Sequence, residues 1–321
     1  MENNTEHKTT GKAKKIIQGI AVANALAMML IGLSKWIVSE SEPLWNVFVF
    51  SDFVIVPLLM GFVCAYFWRD LKLTGVKYGL YSLCNSVVAV VFSTLFLGEG
   101  YICLIIVFPL LLGFNIIGTV IGAAVFKRKS NTLNTSVIGL LLLTCVFNAL
   151  TSPHSYENKV SDTMVINAPP SVVWKYVVAY DYNNEKDKYW LFKIGLPSPV
   201  QSTVEGYYKG ANRKYVFSNG YIFDEKISVY EPCKDLTFDI THQPKDPEIM
   251  EHMDLLKGQF LLTDNGNGTT TLTGNSWYRL YVFPTWYYDL WASSVVRNVH
   301  TRVMEHIKKI AEAENLSKIV E

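Results

Sequence analysis

The chain is short of the residues that mark common chemistries. Its 321 residues include five cysteines and six histidines. Cys64, Cys84, Cys103 and Cys145 fall in long apolar runs, and Cys233 stands alone in the second half. That half therefore has no internal disulfide to form, and no metal-ligand spacing occurs anywhere. The histidines are scattered. Net charge is +1, so the basic excess that marks nucleic-acid binding is missing. No internal repeat suggests a transporter, and no nucleophile–base–orienter set is visible.

Lysine and arginine are also missing from two particular loops, and this absence is the most informative. Five apolar runs precede residue 152: Ile16 to Val38, Val47 to Trp68, Tyr78 to Leu97, Ile102 to Phe126 and Ser136 to Leu150. Most have the roughly 20 residues needed to cross a hydrocarbon core of about 30 Å. The loops Ser39 to Trp45 and Gly98 to Tyr101 hold only acidic charges, Glu40, Glu42 and Glu99. The other segments are basic: Lys8, Lys12, Lys14 and Lys15; then Arg69, Lys72 and Lys77; then Lys127, Arg128 and Lys129. By the positive-inside rule the N-terminus is cytoplasmic, and five crossings leave the rest of the chain extracytoplasmic. The expected address is a plasma (inner) membrane. A cleaved signal peptide is not expected, because the first run is too long and lacks a small-residue cleavage site.

Within the spans, Lys35 and Asp52 are the ionisable residues, placed to pair between neighbouring helices or to snorkel outward. Asn24, Asn85 and Asn115 are expected to hydrogen-bond between helices, and Pro57 and Pro109 to kink them.

After residue 152 the pattern becomes that of a globular domain. The expected division is a membrane domain at 1–152, a connector at 153–163, an α+β domain at 164–315 and a tail at 316–321. Met164 to Asn167 opens as a short strand, and Ser171 can cap a helix over Val172 to Val178. About six antiparallel strands follow. Ser218-Asn219-Gly220 and Asp264 to Gly268 supply hairpin loops. Val296, Val299, Val303, Ile307 and Ile310 repeat at helical spacing, so one long helix closes the chain.

The first hairpin predicts its own pairs: Phe217 with Tyr221, Tyr215 with Phe223, Arg213 with Glu225. Alternation puts them on one face. That face is mostly aromatic, so it is expected to be concave. Later strands are expected to add Leu236, Phe238 and Ile240, then Leu256, Phe260 and Leu262, with Trp277 or Tyr278 also facing in. The helix would add Tyr288, Trp291, Val295 and Val299. Such walls suit either a filled core or a small-molecule pocket with convergent polar groups. Arg213 and Glu225 are correspondingly a structural ion pair or a ligand-orienting or catalytic one. His252, beside Glu251 and Asp254, is a candidate general base. His300 is a candidate base or a packing residue against Trp174.

Several stretches carry a family likeness. These are Ile166-Asn167-Ala168-Pro169-Pro170-Ser171-Val172-Val173-Trp174, Gly210-Ala211-Asn212-Arg213, Phe217-Ser218-Asn219-Gly220, Glu231-Pro232, Gly274-Asn275-Ser276-Trp277-Tyr278 and Val299-His300-Thr301-Arg302-Val303. Residues 160–315 thereby resemble the START-like helix-grip superfamily, SRPBCC, in its polyketide-cyclase/dehydrase and lipid-transport branch. The resemblance implies a curved antiparallel sheet wrapped on a long C-terminal helix, a cavity between them and a bacterial source. It implies no cofactor, and a partner that is a lipid or other hydrophobic small molecule. It leaves function open among a carrier or sensor at a membrane, a cyclase- or hydrolase-type enzyme and a structural module bound to a membrane partner.

Overall fold

The structure is a computed structural model that describes residues 2–38, 54–97, 100–126, 156–183, 188–244, 253–282 and 284–320. The chain forms two compact units that divide chiefly after residue 154.

The first unit is helical, with α1 (Glu2–Val38), α2 (Val56–Trp68), α3 (Gly75–Phe92) and α4 (Tyr101–Phe126). A 3-10 turn, Arg69–Leu71, follows α2, and a π turn, Ser93–Leu97, extends α3. Among the described residues, three segments are long and apolar enough to cross a membrane: Thr10–Leu33, Gly75–Phe96 and Tyr101–Phe126. They match the first, third and fourth expected spans. The described part of the second, residues 54–68, consists chiefly of the 13-residue α2. The fifth expected span lies outside the described residues, as does Asp52, the expected partner of Lys35.

Two devices join these helices. Asn24 donates to Asn85 at 2.7 Å, Asn85 to Asn115 at 3.3 Å, and Asn115 to Ser86 at 2.9 Å. All four residues are fully buried, so this chain pairs amide groups that would otherwise face hydrocarbon, although Asn24 Oδ1 has no partner among the described residues. In addition, α2 and α4 meet backbone to backbone. A Cβ at Gly61 would lie 2.0 Å from the Asn115 carbonyl oxygen, and one at Gly118 would lie 2.0 Å from that of Leu58. Only glycine permits that approach.

The second unit is a seven-stranded antiparallel sheet with a long helix. Its elements are β1 (Tyr156–Ile166), α5 (Pro170–Val178), α6 (Trp190–Lys193), β2 (Pro199–Val204), β3 (Asn212–Phe217), β4 (Ile222–Glu231), β5 (Asp235–His242), β6 (Met253–Asp264), β7 (Thr270–Leu280) and α7 (Thr285–Val320). Spatial order is β1-β7-β6-β5-β4-β3-β2, so β2 to β7 form a meander and β1 closes on β7. The strands present Ile166, Leu236, Leu262 and Leu272 to Val303, Met304 and Ile307 of α7, with Val173 and Val177 of α5 completing the core. A helix held by a curled antiparallel sheet is the helix-grip arrangement.

Three expectations change. The segment 156–163 is not a connector, because it pairs residue by residue with β7 from Tyr156–Leu280 to Ile166–Thr270. The segment 316–320 is the last turn of α7 rather than a tail. And β6 carries a bulge at Leu256, with Leu255 opposite Tyr278 and Lys257 opposite Trp277. An extra residue resets the alternation, so Leu255 rather than Leu256 joins Gly258, Phe260 and Leu262 on the inner face.

Candidate functional site

The β3–β4 hairpin has the register that its loop demands. Arg213 lies opposite Glu225 and Tyr215 opposite Phe223, while the Phe217 amide donates to the Tyr221 carbonyl at 2.9 Å. Gly220 takes a φ of 86°, a left-handed conformation that glycine adopts at no steric cost.

Between this sheet and α7 lies a cavity of about 120 Å³. Arg213, Tyr215, Phe217, Phe223 and Glu225 line one end of the sheet wall, followed by Phe238 and Phe260. Val295, Val299 and His300 of α7 face them, and Ser276 of β7 completes the wall. Most of the expected wall residues, Tyr221 and Ile240 among them, are thus brought around one space.

Trp277, Tyr278 and Trp291 are placed elsewhere. Trp277 alternates with Ser276 along β7 and faces the opposite side of the sheet. There its ring lies 4.8 Å from the Lys159 ammonium and 5.2 Å from that of Lys257. Tyr278 faces α7 but is fully buried outside the cavity lining. Its hydroxyl donates to Asp289 at 2.6 Å, which anchors the first turns of the helix. Trp291 sits one turn before Val295, where α6 covers the helix, and its ring packs on Trp190 with 6.4 Å between centroids. His252 and Glu251 lie outside the described residues. Asp254 accepts from Gln243 and from Tyr281, each at 2.6 Å.

The ion pair is the polar centre of the cavity wall. Arg213 is 1 % exposed and Glu225 4 %. Arg213 donates through Nη1 to Glu225 and through Nε to the Val178 carbonyl at 3.0 Å. Its guanidinium stacks on the Phe238 ring at 4.7 Å and lies 5.3 Å from that of Tyr215. Nη2 is buried without a hydrogen-bond partner among the described residues. Burial raises the pKa of Glu225, opposed by the Arg213 charge. Tyr180 donates to the Tyr215 hydroxyl at 3.1 Å, and burial pushes its own pKa up to about 12. The tyrosines therefore stay neutral, and Arg213 and Glu225 form an ionisable pair in a mostly apolar wall.

A second polar group was not legible in the sequence. Ser276 Oγ lies 2.7 Å from His300 Nε2, and His300 Nδ1 lies 2.9 Å from Asp162 Oδ2. Arg297 Nη1 holds the other Asp162 oxygen at 2.7 Å. Burial lowers the His300 pKa against the raising effect of Asp162, and Arg297 lowers it further. His300 does not pack on Trp174, whose indole faces Tyr230 instead, at a ring-centroid distance of 5.4 Å. The expected connector hid Asp162. Once β1 begins at Tyr156, register places Asp162 opposite Gly274, two residues from Ser276. Gly274 also lets the helix come close. A Cβ there would lie 3.1 Å from Met304 Sδ and 3.8 Å from His300 Cγ.

No family model and no curated protein match the chain. Solved structures do. The ZhuI aromatase/cyclase of Streptomyces sp. R1128 is 13 % identical over 49 % of this chain and 94 % of its own, at a TM-score of 0.34. Norcoclaurine synthase of Thalictrum flavum is 9 % identical over 51 % and 99 %, also at 0.34. Ara h 8.0201 is 15 % identical over 50 % and 99 %, at 0.31.

Proposed function

We propose that this chain is a membrane-anchored binding protein for a compact hydrophobic molecule, held between the sheet and α7 of its second unit for transfer or sensing. The observation that carries this reading is the apolar cavity with a buried Arg213–Glu225 pair in its wall and one unpartnered guanidinium donor among the described residues. An apolar space bounded by a few convergent polar groups is the general form of a small-molecule site.

Size narrows the ligand. At about 120 Å³ the space resembles a cavity of roughly 150 Å³ that takes up benzene. It is well below the roughly 300–1,000 Å³ of drug-sized pockets. A single ring or a short acyl tip fits, and a whole diacyl lipid does not. Arg213 Nη2 favours a ligand that carries a hydrogen-bond acceptor. The alternation of loop charge supports five spans, an inner-membrane address and an extracytoplasmic binding unit.

The test uses the full chain in lipid nanodiscs. Acetophenone should raise the melting temperature saturably, as any ligand of the native state does. It should bind about tenfold more tightly than ethylbenzene, which lacks the acceptor, since a hydrogen bond to a charged group contributes about 1.5–3 kcal/mol. Val299→Phe, which fills the cavity from α7, should abolish both effects. Equal, non-saturable responses in wild type and Val299→Phe would refute the site.

A further inference from the structure

Ser276, His300 and Asp162 have the connectivity of a nucleophile, a general base and the carboxylate that orients it. Both catalytic contacts are within hydrogen-bond reach, at 2.7 and 2.9 Å. Three separate elements supply them, namely β7, α7 and β1. Two of the three side chains, Ser276 and His300, line the cavity, so the hydroxyl meets whatever occupies it. His300 is 5 % exposed and Asp162 is held from its far side by Arg297, which fixes the imidazole. A base whose pKa burial keeps low is neutral, and able to take a proton, at physiological pH.

We infer that Ser276 is an acylation nucleophile, with His300 as its base and Asp162 as a positioning residue, and that the second unit hydrolyses compact hydrophobic carboxylic esters. The inference rests on the cavity binding a ring-sized ligand, as proposed above. With Asp162 accepting from Nδ1, His300 Nε2 accepts the Ser276 proton as Oγ bonds to the ester carbonyl carbon. The ester C–O bond breaks, and His300 passes that proton to the departing alkoxide, leaving acyl-Ser276 and the alcohol. A water molecule then loses its proton to His300 and attacks the acyl carbon. The carboxylic acid leaves, and Ser276 recovers its proton. Arg213 Nη2, on the same cavity wall, is a donor available to an acceptor group of the ester.

The experiment treats the full chain in nanodiscs with phenylmethanesulfonyl fluoride, a ring-sized serine reagent, and follows phenyl acetate turnover. The expected result is one sulfonyl group per chain, located on Ser276 by peptide mass, with fluoride released and turnover lost. Ser276→Ala, nearly isosteric, should still fold and still bind acetophenone saturably while turnover falls by about 10⁴-fold or more. Asp162→Asn should lower turnover by about 10²–10⁴-fold. The wild-type rate should fall with acidity only below about pH 6.5, the ordinary histidine value. The groups that set this limb are Asp162 on β1 and Arg297 on α7, with Ser276 on β7 as the hydrogen-bond partner. Wild type that binds acetophenone but neither labels at Ser276 nor turns over phenyl acetate would overturn the inference and leave the binding site standing. Loss of acetophenone binding as well would overturn both.

Discussion

The buried charges are the residues on which the second unit depends most. Arg213 and Glu225 are almost completely removed from water, yet each is compensated by the other. Removing one partner leaves a naked charge, which costs about 3–5 kcal/mol, whereas replacing both by apolar groups is often neutral or better. Glu225→Leu should therefore lower stability by about that amount, and Arg213→Met with Glu225→Leu should recover most of it, as read by urea unfolding of the purified chain. The double variant should also lose the preference for acetophenone over ethylbenzene, because the donor has gone. Full stability in Glu225→Leu alone would show that water reaches the pair. The sequence shows this pair because a three-residue hairpin loop with Gly220 fixes which residues stand opposite. It does not show Ser276, His300 and Asp162, which lie 24 and 138 positions apart and meet only through strand order and helix docking.

At the scale of elements, the contact of α7 with β7 positions the helix half of the site. That contact passes over Gly274, where bare backbone accepts Met304 and leaves His300 close to the strand. Gly274→Val should overpack the seam at a cost of about 1–3 kcal/mol. It should also push His300 away from Ser276, so acetophenone binding and any serine labelling weaken together. Thr271→Val, on the sheet side that alternates away from the helix, should leave stability within about 0.5 kcal/mol. Equal melting temperatures for the Gly274 variant and wild type would show that the helix slides without penalty. Elements also account for the expectations that the structure changes. A strand can be recognised by alternation, but its first residues here are polar, so Tyr156 to Thr163 resembles a linker until β7 is available to pair with it. The bulge at Leu256 is equally invisible, because one extra residue changes the facing of a strand without changing its composition.

At the scale of the whole molecule, two solvents are written into one chain. Before residue 154 there are eleven Lys and Arg against seven Asp and Glu, a net of +4, and the cations cluster in alternate loops. In a background without native cysteines, Asn267→Cys in the exposed β6–β7 turn should react with a membrane-impermeant maleimide on intact cells. Thr74→Cys, in the basic segment between α2 and α3, should react only after permeabilisation. Labelling of neither site until permeabilisation would mean that four or six crossings precede the second unit, and the opposite pattern that the whole topology is inverted. Helix packing in the first unit has its own constraint: Gly61 and Gly118 set the separation of α2 and α4.

The sequence by itself determined the boundary between the apolar and the globular half, the basic and acidic loops, the β3–β4 register and the final helix. Each of these depends on neighbours within a few residues, or on composition averaged over a span, and a linear pattern records both. It also determined that Asn24, Asn85 and Asn115 would need one another, since an amide among apolar residues has few other partners. Tertiary structure alone decided which face each late strand presents, the room left between sheet and helix, and the meeting of Ser276, His300 and Asp162. Those depend on a bulge, on the closing of β1 against β7, and on how near α7 approaches a glycine. Each is a distance between elements far apart in the chain, fixed when the core packs.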